Sequence, residues 1–299
     1  MEHKKDSLGG QAHAVMLEKE RKSNSAWNKI KRNKTAMLGL FIVVFMMILV
    51  IFAGILAPYD PNELSLGSTY LKPGSPGHIF GTDEFGRDLL SRIIYGSRIS
   101  ILVAVGATFV GATIGVLLGL VSGYAGGIVD SVIMRIMDGM MAFPFILLSI
   151  ILMTILGTGV FNVILAVGIA NIPNFARVVR GQVHIVKNED YCKAVIGIGA
   201  SHPRLLFKHI LPNTLSPIIV YATLSTAGSI ISEAALSFLG LGITPPTASW
   251  GNILRAGKET LNTAPHIATI SGIFILLTVL GFNLLGDGIR DVLDPKMKK

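Results

Sequence analysis

NEDYCKAVIGIGASHPRLLFKHILPN, residues 188–213, interrupts a chain that is otherwise mostly apolar. Its start is polar, glycines break its middle, and Lys208 and His209 precede Leu211-Pro212. Tyr191, Ala194, Val195 and Ile198 recur at i, i+3, i+4 and i+7, which is one apolar stripe on a helix. Glu189 and Asp190 stand in its first turn, where negative charge suits the helix dipole. Gly199 falls where a left-handed residue would end that helix. Ser201 can cap a second helix, with Pro203 tolerated in its first turn. That helix is expected over residues 204–211, feeding through Pro212 into the next apolar run. A pair of short helices at a fixed angle either lies on the lipid surface or docks a soluble partner, and periodicity alone leaves both open.

The flanking sequence says where this pair sits. The 299 residues are 51% hydrophobic and 15% charged, with a mean hydropathy of +0.61. Soluble domains carry about 25% charged residues. An uncharged apolar run of about 18 residues reads as a membrane-spanning helix. Residues 36–57 form the first such run, 99–121 the second, 214–232 the fifth and 267–285 the sixth. Residues 139–176 lack charge for 38 positions, too long for one crossing, and Gly157-Thr158-Gly159 offers a break into spans three and four. The expected fold is all-α and polytopic, with six transmembrane helices. Its parts are a tail over 1–35, span one over 36–57, a loop over 58–98, a five-span core over 99–286 and a tail over 287–299.

Six crossings put both termini on one side. Of the 26 Lys and Arg residues, 20 fall on the side holding the termini and residues 177–211, nine of them in residues 1–35. Positive loops stay inside, so both termini and the 188–213 segment are expected in the cytoplasm. The same distribution explains the net charge of +8 without nucleic acid, for no basic stripe with interleaved aromatics occurs. Cys192 is the one cysteine, so neither an internal disulfide nor C-x-x-C metal spacing is available. The first apolar run is too long for a signal-peptide core, and no cleavable signal is expected. No G-x-x-x-x-G-K-[S/T] occurs, so the chain cannot build a phosphate-binding loop, and H-E-x-x-H and G-x-S-x-G are also missing. No metal site and no bound cofactor are expected.

Two further stretches carry information. In Gly81-Thr82-Asp83-Glu84-Phe85-Gly86-Arg87-Asp88-Leu89-Leu90-Ser91-Arg92, Thr82 or Asp83 can cap a helix. Phe85, Leu89 and Ile93 would form its stripe, and Asp83–Arg87 and Asp88–Arg92 its i, i+4 ion pairs. That predicts an amphipathic helix just outside the membrane, packed on the spans or touching a partner. Glu233 closes the fifth apolar run. A membrane acid costs about 2.5–3.5 kcal/mol at the centre, so it faces a cavity or partner, such as a translocation path, unless it reaches water at the interface.

Taken together, residues 193–212 resemble the cytoplasmic E-A-A loop of ABC-importer permeases. Lys193-Ala194-Val195 occupies the E-A-A place, Gly199 follows after three residues, and Leu211-Pro212 closes the pattern. Lys193 replaces the acid, Val195 an alanine, and His209 the isoleucine. The Gly81 stretch, Glu233 through Gly242, Ser249-Trp250-Gly251 and the ending Asn283-Leu284-Leu285-Gly286-Asp287-Gly288-Ile289-Arg290-Asp291 look like the dipeptide/oligopeptide/nickel subfamily, "C"-type subunit. The resemblance implies the type I importer transmembrane fold in a bacterial cytoplasmic membrane. It implies a "B"-type permease partner, an extracytoplasmic substrate-binding protein, and two ATPase subunits that hold ATP-Mg. It also implies docking of those ATPases through Glu189, Asp190, Tyr191, Lys193, Ala194, Val195, Gly199, Ala200, Ser201 and Arg204. Cargo would be di- or oligopeptide, or else nickel or a metal chelate. A secondary transporter would instead show two related halves with broken spans and ion-binding acids, and no such repeat is visible.

Overall fold

In a bilayer an apolar segment must satisfy its own N–H and C=O groups, and a helix does so within one segment. The computed structural model describes residue 31 and residues 33–293. Those residues form helices joined by turns, with no strand among them. We number them α1 (Lys34–Ile51), α2 (Leu89–Ala125), α3 (Gly127–Met141), α4 (Phe145–Leu156), α5 (Val160–Lys187), α6 (Asp190–Gly197), α7 (His202–Phe238), α8 (Trp250–Glu259) and α9 (Pro265–Leu293). A single further turn, Ala53–Leu56, follows α1. Most of the expected N-terminal tail and residues 294–299 lie outside the described residues.

Five helices, α1, α2, α5, α7 and α9, are long and apolar enough to cross a membrane. The sixth crossing differs from expectation. The run over 139–176 does break at Gly157 and Gly159, both at positive φ. It breaks again before Pro144, leaving α4 with 12 residues, about 18 Å against a core of about 30 Å. α3 and α4 are bent by 89°, so a sixth crossing exists only as this broken pair. α2 outruns its expected span in the other direction. Its 37 residues extend about 56 Å, longer than a hydrocarbon core of about 30 Å. Asp287, Arg290 and Asp291, expected in a tail, continue α9, and Asn33 at the cap of α1 donates to Asp291 Oδ2 at 2.9 Å.

The most extensive packing is α2 against α5. Gly111, Gly115, Gly119 and Gly123 recur every four residues along α2 and form a groove for α5. A Cβ at Gly115 would lie 2.4 Å from Phe175 Cβ, and one at Gly119 2.6 Å from the Ala176 carbonyl. Helices in lipid gain by such close backbone approach, because burial of apolar surface drives little there. Trp250, wholly buried, ties α8 to the core: its N–H donates to Ser100 Oγ (3.2 Å) and its Nε1 to the Ile93 carbonyl (3.1 Å). Ser249 and Asn252 form a reciprocal capping box in front of it.

The Gly81 stretch is not a helix. Asp83 Oδ1 accepts from the backbone N–H of Phe85 (2.9 Å) and Arg87 (3.0 Å), which curls the chain into a tight turn. Gly81 and Gly86 sit at φ +81 and +73. The helix starts only at Leu89, capped by Asp88, which accepts from Ser91 N at 2.8 Å. Asp83–Arg87 pairs as expected, at 2.7 Å. Asp88 binds His78 Nδ1 (2.9 Å) instead of Arg92, and Arg92 turns to Asp83 (3.4 Å) and the Pro61 carbonyl (2.9 Å). Phe85 points outward, 44% exposed, away from the buried Leu89 and Ile93.

Candidate functional site

The segment that opened the reading keeps its first helix and its turn. α6 runs Asp190–Gly197 with Glu189 at its N-cap position and Asp190 in its first turn. Gly199 has φ +83. Gly199 N donates to the Ile196 carbonyl (2.9 Å) and Ala200 N to the Val195 carbonyl (3.3 Å), the paired bonds of a Schellman turn. Ser201 occupies the next N-cap position with Pro203 behind it, but its side chain caps nothing. The expected short second helix is the beginning of α7. It is continuous from His202 to Phe238, with a π-helical stretch at Leu205–Ile210 absorbing the join.

The expected apolar stripe divides. Cys192 is fully buried, and Val195, one turn on, packs beside it against Val183, Val186, Leu205 and Ile210. This seats α6 on the ends of α2, α5 and α7. Tyr191 (41%), Ile196 (50%) and Ile198 (85%) face outward, as do Glu189, Asp190, Lys193, Ala194, Gly199, Ser201 and Arg204, while Ala200 is half-buried. Lys193 reaches Asp190 at 3.1 Å on that open face. Partial burial, the Cys192 thiol and the Glu189 carboxylate push the Tyr191 hydroxyl up to about 12, so it stays a neutral donor.

Three groups link this segment to the spans, and sequence reading missed them. Lys187 Nζ donates to the Tyr124 carbonyl at 2.6 Å and sits 5.3 Å over the Tyr124 ring. The Tyr124 hydroxyl hydrogen-bonds His202 Nδ1. The last turn of α2 is thereby tied to the end of α5 and the start of α7. Nearby, Arg180 on α5 grips Asp130 on α3 through two nitrogens at 2.6 Å.

Glu233 lies inside the packed helices of this chain. Its side chain is fully buried, accepting from Ser100 Oγ (3.0 Å) and Ser237 Oγ (2.9 Å). It ties α2 to α7, and through Ser100 to Trp250. A cavity of about 310 Å³ lies elsewhere, between α4, α5 and α7. Asn171, Asn174, Ser225, Ser229 and Ser232 bring polar atoms to it. The signal was present: serines at i, i+4 and i+7 make a polar stripe in an apolar helix.

The model of the binding-protein-dependent transport system inner membrane component matches residues 115–299. The chain belongs to that family. The N-terminal transmembrane domain of oligopeptide transport permease C matches residues 23–73, so the permease is a C-type subunit of the peptide/oligopeptide subfamily of ABC importers. It is 46% identical over 272 residues to the glutathione transport system permease protein GsiD of Escherichia coli O6:K15:H31, covering 91% of this chain and 90% of that one. The protein of the same name from Shigella boydii serotype 4 matches to the same extent. The crystal structure of an amino acid ABC transporter with histidines aligns with a TM-score of 0.53 at 14% identity, over 68% of this chain and 95% of that one. The fold is that of type I importer permeases, and the permease is a multi-pass inner-membrane protein.

Proposed function

We propose that this permease forms one half of a peptide translocation path, with a "B"-type permease forming the other half. Two ATPase subunits dock on residues 189–204 and hold the ATP-Mg that this chain does not bind. An extracytoplasmic substrate-binding protein delivers cargo, and both termini face the cytoplasm. ATP binding favours the outward-facing state, and hydrolysis resets it. Relatives named for glutathione transport favour short peptides as cargo. Neither those relatives nor the polar cavity favours nickel or a metal chelate.

One observation carries the docking assignment. The Gly199 turn and the packing of Cys192 and Val195 fix α6 on the bundle while leaving Tyr191, Ile196 and Ile198 uncovered among charged side chains. Exposed apolar side chains rimmed by charge mark a docking surface. Gly199→Val tests it in vesicles holding the whole complex. A Cβ there meets no neighbour but disfavours the left-handed backbone, so the angle between α6 and α7 changes while the spans persist. ATP-driven uptake should fall with assembly intact. Unchanged uptake would return α6 to the lipid surface.

A further inference from the structure

We propose that the cavity between α4, α5 and α7 is a cargo subsite that holds the peptide main chain through neutral amides and hydroxyls, without regard to cargo charge. This rests on the reading of the chain as half of a peptide path. Asn171 and Asn174 stand near the middle of α5, and Ser225 near the middle of the Leu211–Phe238 stretch of α7. The site therefore lies midway along two membrane-spanning helices, where polar side chains pair with one another or face a passage.

Pairing accounts for part of the set. Asn171 Nδ2 donates to Ser225 Oγ, joining α5 to α7, and Asn174 Nδ2 donates to Asn171 Oδ1 at 3.5 Å. Ser232 Oγ bonds back to the Gly228 carbonyl at 2.9 Å. Ser229 breaks the pattern. Its hydroxyl is buried at the cavity wall with no hydrogen-bond partner in the chain. A hydroxyl left so has an unmet hydrogen bond that a ligand or water entering the cavity can supply.

The chemistry of the wall selects the ligand. No Asp, Glu, Lys, Arg or His lines it. A fixed charge in this low-dielectric setting would hold cargo of one sign and repel the other. Asparagine and serine instead both donate and accept, which matches the N–H and C=O groups that all peptides share. The volume of about 310 Å³ is at the small end for ligand pockets and suits a short stretch of main chain.

Gly228 gives a clean test, because a Cβ built there meets open space and the helix tolerates it. The whole complex in vesicles is offered peptides of equal length with net charge −1, 0 and +1. Each variant's uptake is divided by the wild-type rate for the same peptide, which cancels selection by the binding protein. Gly228→Leu should lower all three ratios about tenfold while ATP hydrolysis stimulated by the binding protein persists. Asn174→Asp should depress the anionic peptide about tenfold relative to the cationic one, and Asn174→Lys the reverse. Normal uptake through Gly228→Leu, or ratios independent of charge in both Asn174 variants, overturns the subsite alone. No peptide uptake by the wild-type complex overturns both the subsite and the peptide reading beneath it.

Discussion

Gly86 and Gly199 both hold a left-handed φ, +73 and +83. Their surroundings are opposite. A Cβ at Gly86 would meet the Ser65 carbonyl oxygen at 1.8 Å, whereas one at Gly199 would meet nothing within 4 Å. The turn around Gly86 buries Asp83 between Arg87 and Arg92, and buries Asp88 against His78. The turn around Gly199 leaves its charges in solvent and its apolar side chains bare. One end of the molecule is finished within the chain. The other leaves side chains exposed.

Breaking the closed end should have the largest effect. Asp83→Ala strands two buried guanidinium groups, and removing one member of a buried pair costs about 3–5 kcal/mol. Thermal unfolding in detergent should shift down sharply, with loss of assembled complex. A shift no larger than that of a surface mutant would mean the network is wet and dispensable.

The two glycines can be compared directly. Gly86→Ala combines left-handed strain of about 1–2 kcal/mol with a collision against backbone, so it should lower unfolding temperature clearly. Gly199→Ala carries the strain without the collision and should lower unfolding temperature less than Gly86→Ala while reducing ATP-driven uptake. Equal effects on stability would erase the distinction between a closed end and an open one.

Tyr124→Phe should act more mildly. It removes one hydroxyl bond to His202, worth about 1 kcal/mol, and keeps the ring under Lys187. Uptake should fall a few-fold at unchanged stability, with more ATP hydrolysed per peptide moved. An unchanged ratio of hydrolysis to uptake would remove Tyr124 from the link between α6 and the spans.

Much of this organisation is legible in the sequence. Uncharged length marked the spans, and the spacing of Asp190, Gly199 and Pro203 marked α6, its turn and the start of α7. Four things were hidden for physical reasons. Asp83 looked like a helix cap, but its carboxylate reaches closer backbone donors two and four residues on, and a turn wins. Pro144 in an apolar run gave little sign of how sharply α3 and α4 would bend, because hydropathy measures transfer and not direction. Glu233 read as a path residue from its cost in lipid, yet Ser100 and Ser237 meet that cost inside the chain. Tyr124, Lys187 and His202 lie far apart in sequence, so no local pattern joins them. The polar stripe of α7 was the signal overlooked.

Whether ATPase subunits cover α6 decides between a docking surface and a lipid-facing helix. Cys192 is fully buried and Ile198 is 85% exposed, so Ile198→Cys adds one reactive thiol beside a silent one. Maleimide labelling of the permease pair should be fast at position 198 without the ATPase subunits and strongly suppressed once they assemble. Labelling that ignores the ATPases but is blocked by lipid would contradict the docking surface and place α6 on the membrane.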